Sequence, residues 1–214
     1  MDKIKLIGTY LEVEELWDIN VNLRTVRVFK ARLDELGKYK QLRDTIGNIP
    51  NLRMIEDVIN KTINPEKEIK DDASLDLRDI RLHKKTLNMN IKRKFEELFD
   101  EPSLANAFQE RIITERDGRM VTPVKFDFKG LIKGIEHDRS SSGQTVFIEP
   151  LSIVSLNNKM RELETKEKEE IRKILLRIAE LLRNNRDDIL AIGDKALYLD
   201  ILNAKSIYAV DNKC

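Results

Sequence analysis

The stretch His137-Asp138-Arg139-Ser140-Ser141-Ser142-Gly143 holds the residue types of a nucleophile system: an imidazole, a carboxylate and three hydroxyls. The local geometry argues against that use. Adjacent strand residues point to opposite faces, so His137 and Asp138 would not face one another. The serines sit where a turn is expected, with hydroxyls that serve the backbone. His83 falls on the polar face of a helix and reads as solvated. The carboxylate pairs Glu14/Glu15, Glu96/Glu97 and Glu169/Glu170 are neighbours on helices, about 100° apart around the axis. They read as solvated faces, not as acid–base pairs. Two His and one Cys cannot build a zinc cage from the usual soft ligands. No G-x-x-x-x-G-K-[ST] loop occurs, and no G-x-G-x-x-G follows a strand. The expectation is a chain with no catalytic, cofactor or metal site of its own, which neither hydrolyses ATP nor cuts DNA in isolation.

Cations remain as the chemistry on offer. The 39 basic and 38 acidic residues leave a net charge of +1, so nucleic-acid binding would have to rest on local clusters. Lys92-Arg93-Lys94 is the densest run. Between residues 110 and 150 stand Arg111, Arg116, Arg119, Lys125, Lys129, Lys133 and Arg139. Lys125, Lys129 and Lys133 lie near turns, where phosphate contact is open to them. With Arg119 and Arg139 they are the candidate nucleic-acid contacts. A mixed-charge solvated surface is the alternative that composition leaves standing.

These residues are positioned by a chain that reads as mainly helical. Charged residues make up 36% and aromatics 6%, with only 8 Gly and 5 Pro, which favours long amphipathic helices. Residues 10–45 read as one helix with Leu16, Ile19, Leu23, Val26 and Leu33 on a stripe, Trp17 and Phe29 nearby, and Glu12, Glu14 and Glu15 in the first turn. Gly47-Asn48-Ile49-Pro50 ends it, and a second helix follows over about Leu52–Asn60. From Ser74, a candidate N-cap, a helix of about 25 residues runs towards Pro102. Its stripe is Leu77, Ile80, Leu87, Ile91, Phe95 and Leu98, with Lys84 in the register gap. Residues 110–150 read as four strands in an antiparallel meander, with turns at Asp117-Gly118, Asp127–Gly130 and Ser140–Gly143. Phe126, Phe128 and Phe147 are its expected core, and Pro123 marks an edge or bulged strand. After Pro150 a helix runs to about residue 190, some 60 Å at 1.5 Å per residue, with Glu167 in the gap of its apolar stripe. A last helix begins near Asp194.

The fold class expected is mainly α with a small antiparallel β insertion. A helical core part (1–73) leads to a first lever helix (74–105), a β-rich clamp (106–150), a second lever helix (151–190) and a returning core helix (191–214). The two levers, each with a narrow apolar stripe, would pair antiparallel. No apolar run reaches the ~20 residues of a membrane span. The start, Met1-Asp2-Lys3-Ile4, has no signal-peptide character, and a lone Cys214 points to a reducing compartment. Both fit a cytoplasmic location. A structural helical dimerisation module without direct nucleic-acid binding is the competing function; helix pairing within one chain predicts a monomer instead.

Three ordered stretches carry a resemblance. Arg119–Lys125, Gly134–Pro150 (G-I-E-H-D-R-S-S-S-G-Q-T-V-F-I-E-P) and Leu156-Asn157-Asn158 are similar to the pattern G-R-Y-V-I-P-V-K … G-I-V-H-D-x-S-x-S-G-x-T-x-F-I-E-P … L-N-N. That pattern belongs to the bacterial MutS paralogues carrying a C-terminal Smr domain, the MutS-two family. The resemblance implies a lever-and-clamp fragment of a longer protein with an ABC-type ATPase that binds ATP and Mg, and an Smr endonuclease domain. It implies engagement of branched or mismatched DNA, with suppression of recombination, or of collided ribosomes through rRNA. It also implies a homodimer formed mainly through the ATPase domains, so that the fragment alone could be monomeric.

Overall fold

The structure, a computed structural model, describes residues 8–212. Met1–Ile4 and Cys214, on which the location was argued, lie outside the described residues. Six helices and four strands follow in chain order: α1 Val13–Leu36, α2 Lys40–Ile46, α3 Arg53–Thr62, α4 Leu75–Phe99, β1 Thr114–Arg116, β2 Arg119–Lys125, β3 Gly134–Arg139, β4 Thr145–Pro150, α5 Leu151–Asn184 and α6 Arg186–Asp211. The fold is mainly α with a small four-stranded antiparallel insertion, as the sequence predicts. Two compact units divide the chain, Leu75–Glu170 forming one and Met1–Ser74 with Ile171–Cys214 the other.

In the helical unit, α1 packs on α3 and α6. Its buried stripe is Leu16, Asn20, Leu23, Val26 and Leu33. Ile19 is only partly buried, and Asn20 instead turns inward to donate from Nδ2 to Asn60 Oδ1 at 2.8 Å. The single helix expected over 10–45 is two helices. Gly37 and Tyr39 both take left-handed φ values, 60° and 59°, and separate α1 from α2. Glu12 precedes the helix, its N–H donating to Glu15 Oε2 at 2.9 Å. The long helix expected to reach residue 190 ends at Asn184, about 51 Å from its start. Asn185 leaves the helical region, its Nδ2 donates to Leu181 O at 2.8 Å, and α6 starts at Arg186 instead of near Asp194.

In the β-bearing unit, α4 and the first part of α5 run antiparallel. Arg81 and Lys84, early in α4, meet Glu167, late in this stretch of α5, while Leu87 and Ile91 share a core with Met160 and Ile153. The two polar residues that interrupt the stripes therefore pair: Lys84 Nζ donates to Glu167 Oε2 at 2.7 Å and Arg81 Nε to Oε1 at 2.8 Å. Burial pushes the Glu167 carboxyl up, but the hydrogen bonds from Lys84 and Arg81 outweigh it and hold the carboxyl below its usual range.

The sheet order is β1-β2-β4-β3, so the strands do not form the expected meander. Two features of the sequence account for this. The β2–β3 connection is not a tight turn; it contains a 3₁₀ helix over Phe126–Leu131 and is long enough to skip a strand. Thr145–Pro150 is the more apolar of the last two strands and takes the central place, with Val146 and Ile148 buried. Gly134–Arg139 is mostly charged and exposed, and lies at the edge, where charge deters further pairing. Pro123 pairs with Phe147 on β4, and β1 pairs with β2 only as far as Val121. Beyond that point the 107–109 segment covers the outer side of β2. Gln109 N–H donates to Pro123 O at 3.0 Å and Lys125 N–H to Ala107 O at 2.8 Å. The proline nitrogen faces this covering segment and not β4, so no β2–β4 ladder bond is lost. Ser140–Gly143 is a turn with Gly143 at φ +73°, its N–H donating to Ser140 O at 2.8 Å.

The core of this unit joins both helices to the sheet: Leu87, Ile91, Phe95 and Phe99 from α4, Phe108, Val124, Val146 and Ile148, and Ile153 and Met160 from α5. Phe99 meets Phe108 edge-on with centroids 4.9 Å apart. The aromatics expected to fill it lie elsewhere. Phe126 and Phe128 are 39% and 37% exposed, and Phe147 lies beneath the Arg116 guanidinium at 3.9 Å. Residues at 126 and 128 leave the strand for the 3₁₀ helix, which turns their rings away from the sheet interior.

Gly134 sits where β3 begins beside Pro150. A Cβ there would lie 2.5 Å from Glu149 O and 2.5 Å from Ile148 Cγ2. One of those atoms is backbone and cannot swing away. Gly134→Ala is expected to lower stability by about 1–3 kcal/mol, as overpacking does, read as an earlier urea midpoint. A wild-type midpoint would mean that β3 approaches β4 less closely than described.

Candidate nucleic-acid interface and the polar lock behind it

The five candidate cations split into two groups. Arg119 turns inward: Nη1 donates to Glu149 Oε1 at 2.7 Å and Nη2 to Asn158 Oδ1 at 2.9 Å, with the side chain 19% exposed. This guanidinium is committed to the protein itself. The sequence places it one residue after a turn, which looks like a phosphate contact, but β2 carries it towards α5. Lys125, Lys129, Lys133 and Arg139 stay at the surface in varying degree. Lys125 is half-buried, its Nζ donating to Asn106 O at 3.1 Å. Lys133 is exposed. Lys129 and Arg139 come together around two residues: both pair with Glu136, and both lie over the Phe126 ring, at 4.6 and 5.5 Å from its centroid. The Glu136 carboxyl is held below its usual range, chiefly by the hydrogen bond from Arg139.

Behind this surface lies a buried polar network. Glu149 at the end of β4 has a fully buried side chain. Its Oε1 accepts from Arg119 and from Asn157 Nδ2, the latter at 2.9 Å, and its Oε2 lies 2.6 Å from His137 Nε2. Asn157, on α5, also pairs with the backbone of Met120 in both directions, accepting from its N–H at 3.2 Å and donating to its carbonyl at 3.0 Å. One side chain thus ties strand β2 to helix α5 much as a neighbouring strand would. A bulge makes His137 available. Between Glu136 and Asp138 the β3–β4 register shifts, and His137 is the extra residue. Asp138 goes elsewhere, to Arg116 at 3.1 Å.

Burial pushes the Glu149 carboxyl up. Hydrogen bonds from Asn157, His137 and Arg119, with the charge of Arg119, win and hold it below the usual carboxylate range. An ionised carboxylate only accepts, so His137 Nε2 carries the proton between them. With Glu149 sealed from solvent, a substrate has no access to its oxygens, and Ser140 Oγ is engaged with the Thr145 N–H at 3.1 Å. The arrangement holds elements together. Among the described residues no group of three His, Cys, Asp or Glu side chains is placed to bind a metal ion. No helix of the described residues is long and apolar enough to cross a membrane.

No family model matches the chain. Individual relatives do. The chain is 92% identical over all 214 residues to a protein of Fusobacterium nucleatum named Endonuclease MutS2, covering 28% of its length. It is 44% identical over 211 residues to the Endonuclease MutS2 of Finegoldia magna, and 37% identical over 208 residues to that of Alkaliphilus oremlandii, covering 26% of each. The chain belongs to the MutS2 family. It spans about a quarter of the length of these relatives.

The residues of the lock all fall within the three stretches that carry the MutS2 likeness. Arg119, His137, Glu149, Asn157 and Asn158 are scattered over 40 positions and meet around one carboxylate. Sequence reading passed over Glu149 and the two asparagines as functional positions. A signal was present: a Glu directly after the apolar Val146-Phe147-Ile148, in a strand with both faces covered, is a buried charge in need of partners. Their identity could not be read from one sequence, because the contacts are 8 to 39 residues apart.

Proposed function

We propose that this chain is the lever-and-clamp part of a MutS2-family protein, and that its β unit touches nucleic-acid phosphates through Lys125, Lys129, Lys133 and Arg139. Support comes from the grouping of three of these cations on residues 129–139, exposed or half-exposed beside the edge strand, while Arg119 is withdrawn into the lock. Contacts of this kind are sequence-independent and salt-dependent. They suit branched or mismatched DNA, with suppression of recombination as the consequence, and equally the rRNA of a collided ribosome. ATP and Mg, the Smr endonuclease activity and the main homodimer contact belong in this reading to the remainder of the longer protein. The chain described here acts as a cytoplasmic, non-catalytic grip.

The test is a salt titration of binding to branched DNA and to ribosomes, comparing the wild-type chain with a variant carrying Ala at 125, 129, 133 and 139. Each lost phosphate contact should shallow the log–log salt slope on duplex DNA by about 0.9. Affinity of the nearly neutral chain should fall in the non-specific range of ~10⁻⁴ to 10⁻⁶ M. Equal affinity and slope for both proteins on both ligands would mean that another surface makes the contact.

A second reading has an observation of its own. Helix α6 exposes Leu197, Ile201, Ile207 and Tyr208, an apolar load that favours a helical interaction or dimerisation module. Sedimentation separates the two, since dimerisation through α6 requires a dimer that Ile201→Lys dissolves.

A further inference from the structure

We infer that Phe126, framed by Lys129 and Arg139, is a stacking platform for an unpaired nucleobase, which makes single-stranded nucleic acid the preferred ligand of the β unit; this rests on the phosphate-contact reading above and narrows it. The ring is 39% exposed, outside the core that joins the sheet to the helices. Neighbouring Phe128, Leu131 and Ile135 are also exposed, at 37%, 56% and 44%, so residues 126–135 display four large apolar side chains to solvent. Cations on surface side chains lie over the Phe126 ring, and a stacking base takes their place on the ring face. Lys129 Nζ is 4.6 Å and Arg139 Cζ 5.5 Å from the ring centroid, and Lys133 is exposed in the same connection.

This combination matches one kind of occupant by charge and shape. Duplex DNA keeps its bases stacked, so it offers phosphates to the cations but nothing to the phenyl ring. A single strand offers both, a base face for the ring and flanking phosphates for the cations. Glu136 does not block the exchange. It pairs with Lys129 and Arg139 at the surface, where ion pairs hold weakly and both cations keep further N–H groups for phosphate. A base has no sequence requirement on such a platform, because every base has a π-face. DNA and RNA share this chemistry.

The experiment measures binding of the full chain to three labelled probes with equal phosphate counts: a thymidine oligomer of about 12 nucleotides, its uridine counterpart, and a blunt-ended DNA hairpin whose loop is a non-nucleotide linker, so that it has no unpaired base. The wild type should bind one or both single strands more tightly than the hairpin. Phe126→Ala should weaken single-strand binding by roughly 5- to 100-fold, while hairpin binding and its salt slope stay at wild-type values. Phe126→Trp should keep or strengthen single-strand binding, and its far-ultraviolet dichroism and melting curve report that the fold is intact. Lys133→Ala should weaken all bound probes together. Preference for one sugar identifies the source of the strand and leaves the platform in place. Wild-type single-strand affinity in Phe126→Ala, or equal loss on the hairpin, overturns the platform while the phosphate reading survives. Absence of binding to all three probes removes both.

Discussion

Glu149→Ala is expected to lower the stability of the Leu75–Glu170 unit by about 3–5 kcal/mol, the cost of removing one partner from a buried, hydrogen-bonded ion pair. The substitution leaves the Arg119 guanidinium without its carboxylate, frees the His137 Nε2–H and strips Asn157 of one acceptor. Because these donors sit on β2, β3 and α5, the loss falls on three elements at once. Glu149→Gln keeps an oxygen that accepts from Arg119 and Asn157 at the Oε1 position and should cost less, about 1–3 kcal/mol. Urea unfolding followed by far-ultraviolet dichroism reads both. A Glu149→Ala midpoint equal to wild type would show that the carboxylate is not what binds the sheet to α5. A double-mutant cycle with Arg119→Ala isolates the pair, and a coupling near zero would remove Arg119 from the lock.

Acid should destabilise this unit through the two carboxylates whose pKa folding lowers. Glu149 and Glu167 both have folded-state pKa values below the unfolded value of about 4.3. In that case the unfolded state binds the extra protons. The stabilisation is fully present above about pH 5 and is lost as pH falls through the depressed folded values. Glu97 and Glu136 are lowered too, but at the surface, where solvent and salt screen their pairs. The contribution of Glu149 and Glu167 should therefore be flat from pH 7 to about pH 5 and then decline. A Glu149→Gln, Glu167→Gln double variant should start lower and decline less. If wild type and double variant lose stability with the same slope below pH 5, neither carboxylate is linked to folding.

How far the sequence reaches depends on how local each feature is. The two long stripes of α4 and α5 are written in 3/4 spacing, and both polar interruptions, Lys84 and Glu167, are visible in it. Their pairing needs the antiparallel register, which no single stripe encodes. The Asp117-Gly118 turn is local chemistry, with φ values of 51° and 72°. The strand order is not, since it turns on whether an eight-residue connection folds back tightly or forms a 3₁₀ helix. That same choice moved Phe126 and Phe128 from an expected core to the surface. The break between α1 and α2 carried one mark, Gly37 as a helix stop, which the reading of 10–45 as one helix passed over; Tyr39 at φ 59° leaves none. Among the candidate cations, Lys129, Lys133 and Arg139 were legible as surface residues. Arg119 was not legible as internal, because its partners arrive from positions 149 and 158.

Hydrogen exchange of the chain with and without a saturating branched DNA ligand, and separately with ribosomes, probes the contact surface most directly. If the β unit is the grip, protection gained on binding should concentrate on residues 125–139 with at least one of the two ligands, and amides of α1, α3 and α6 should exchange as in the free chain. Protection confined to α6 with residues 125–139 unchanged would place the contact on the helical unit and contradict the clamp assignment.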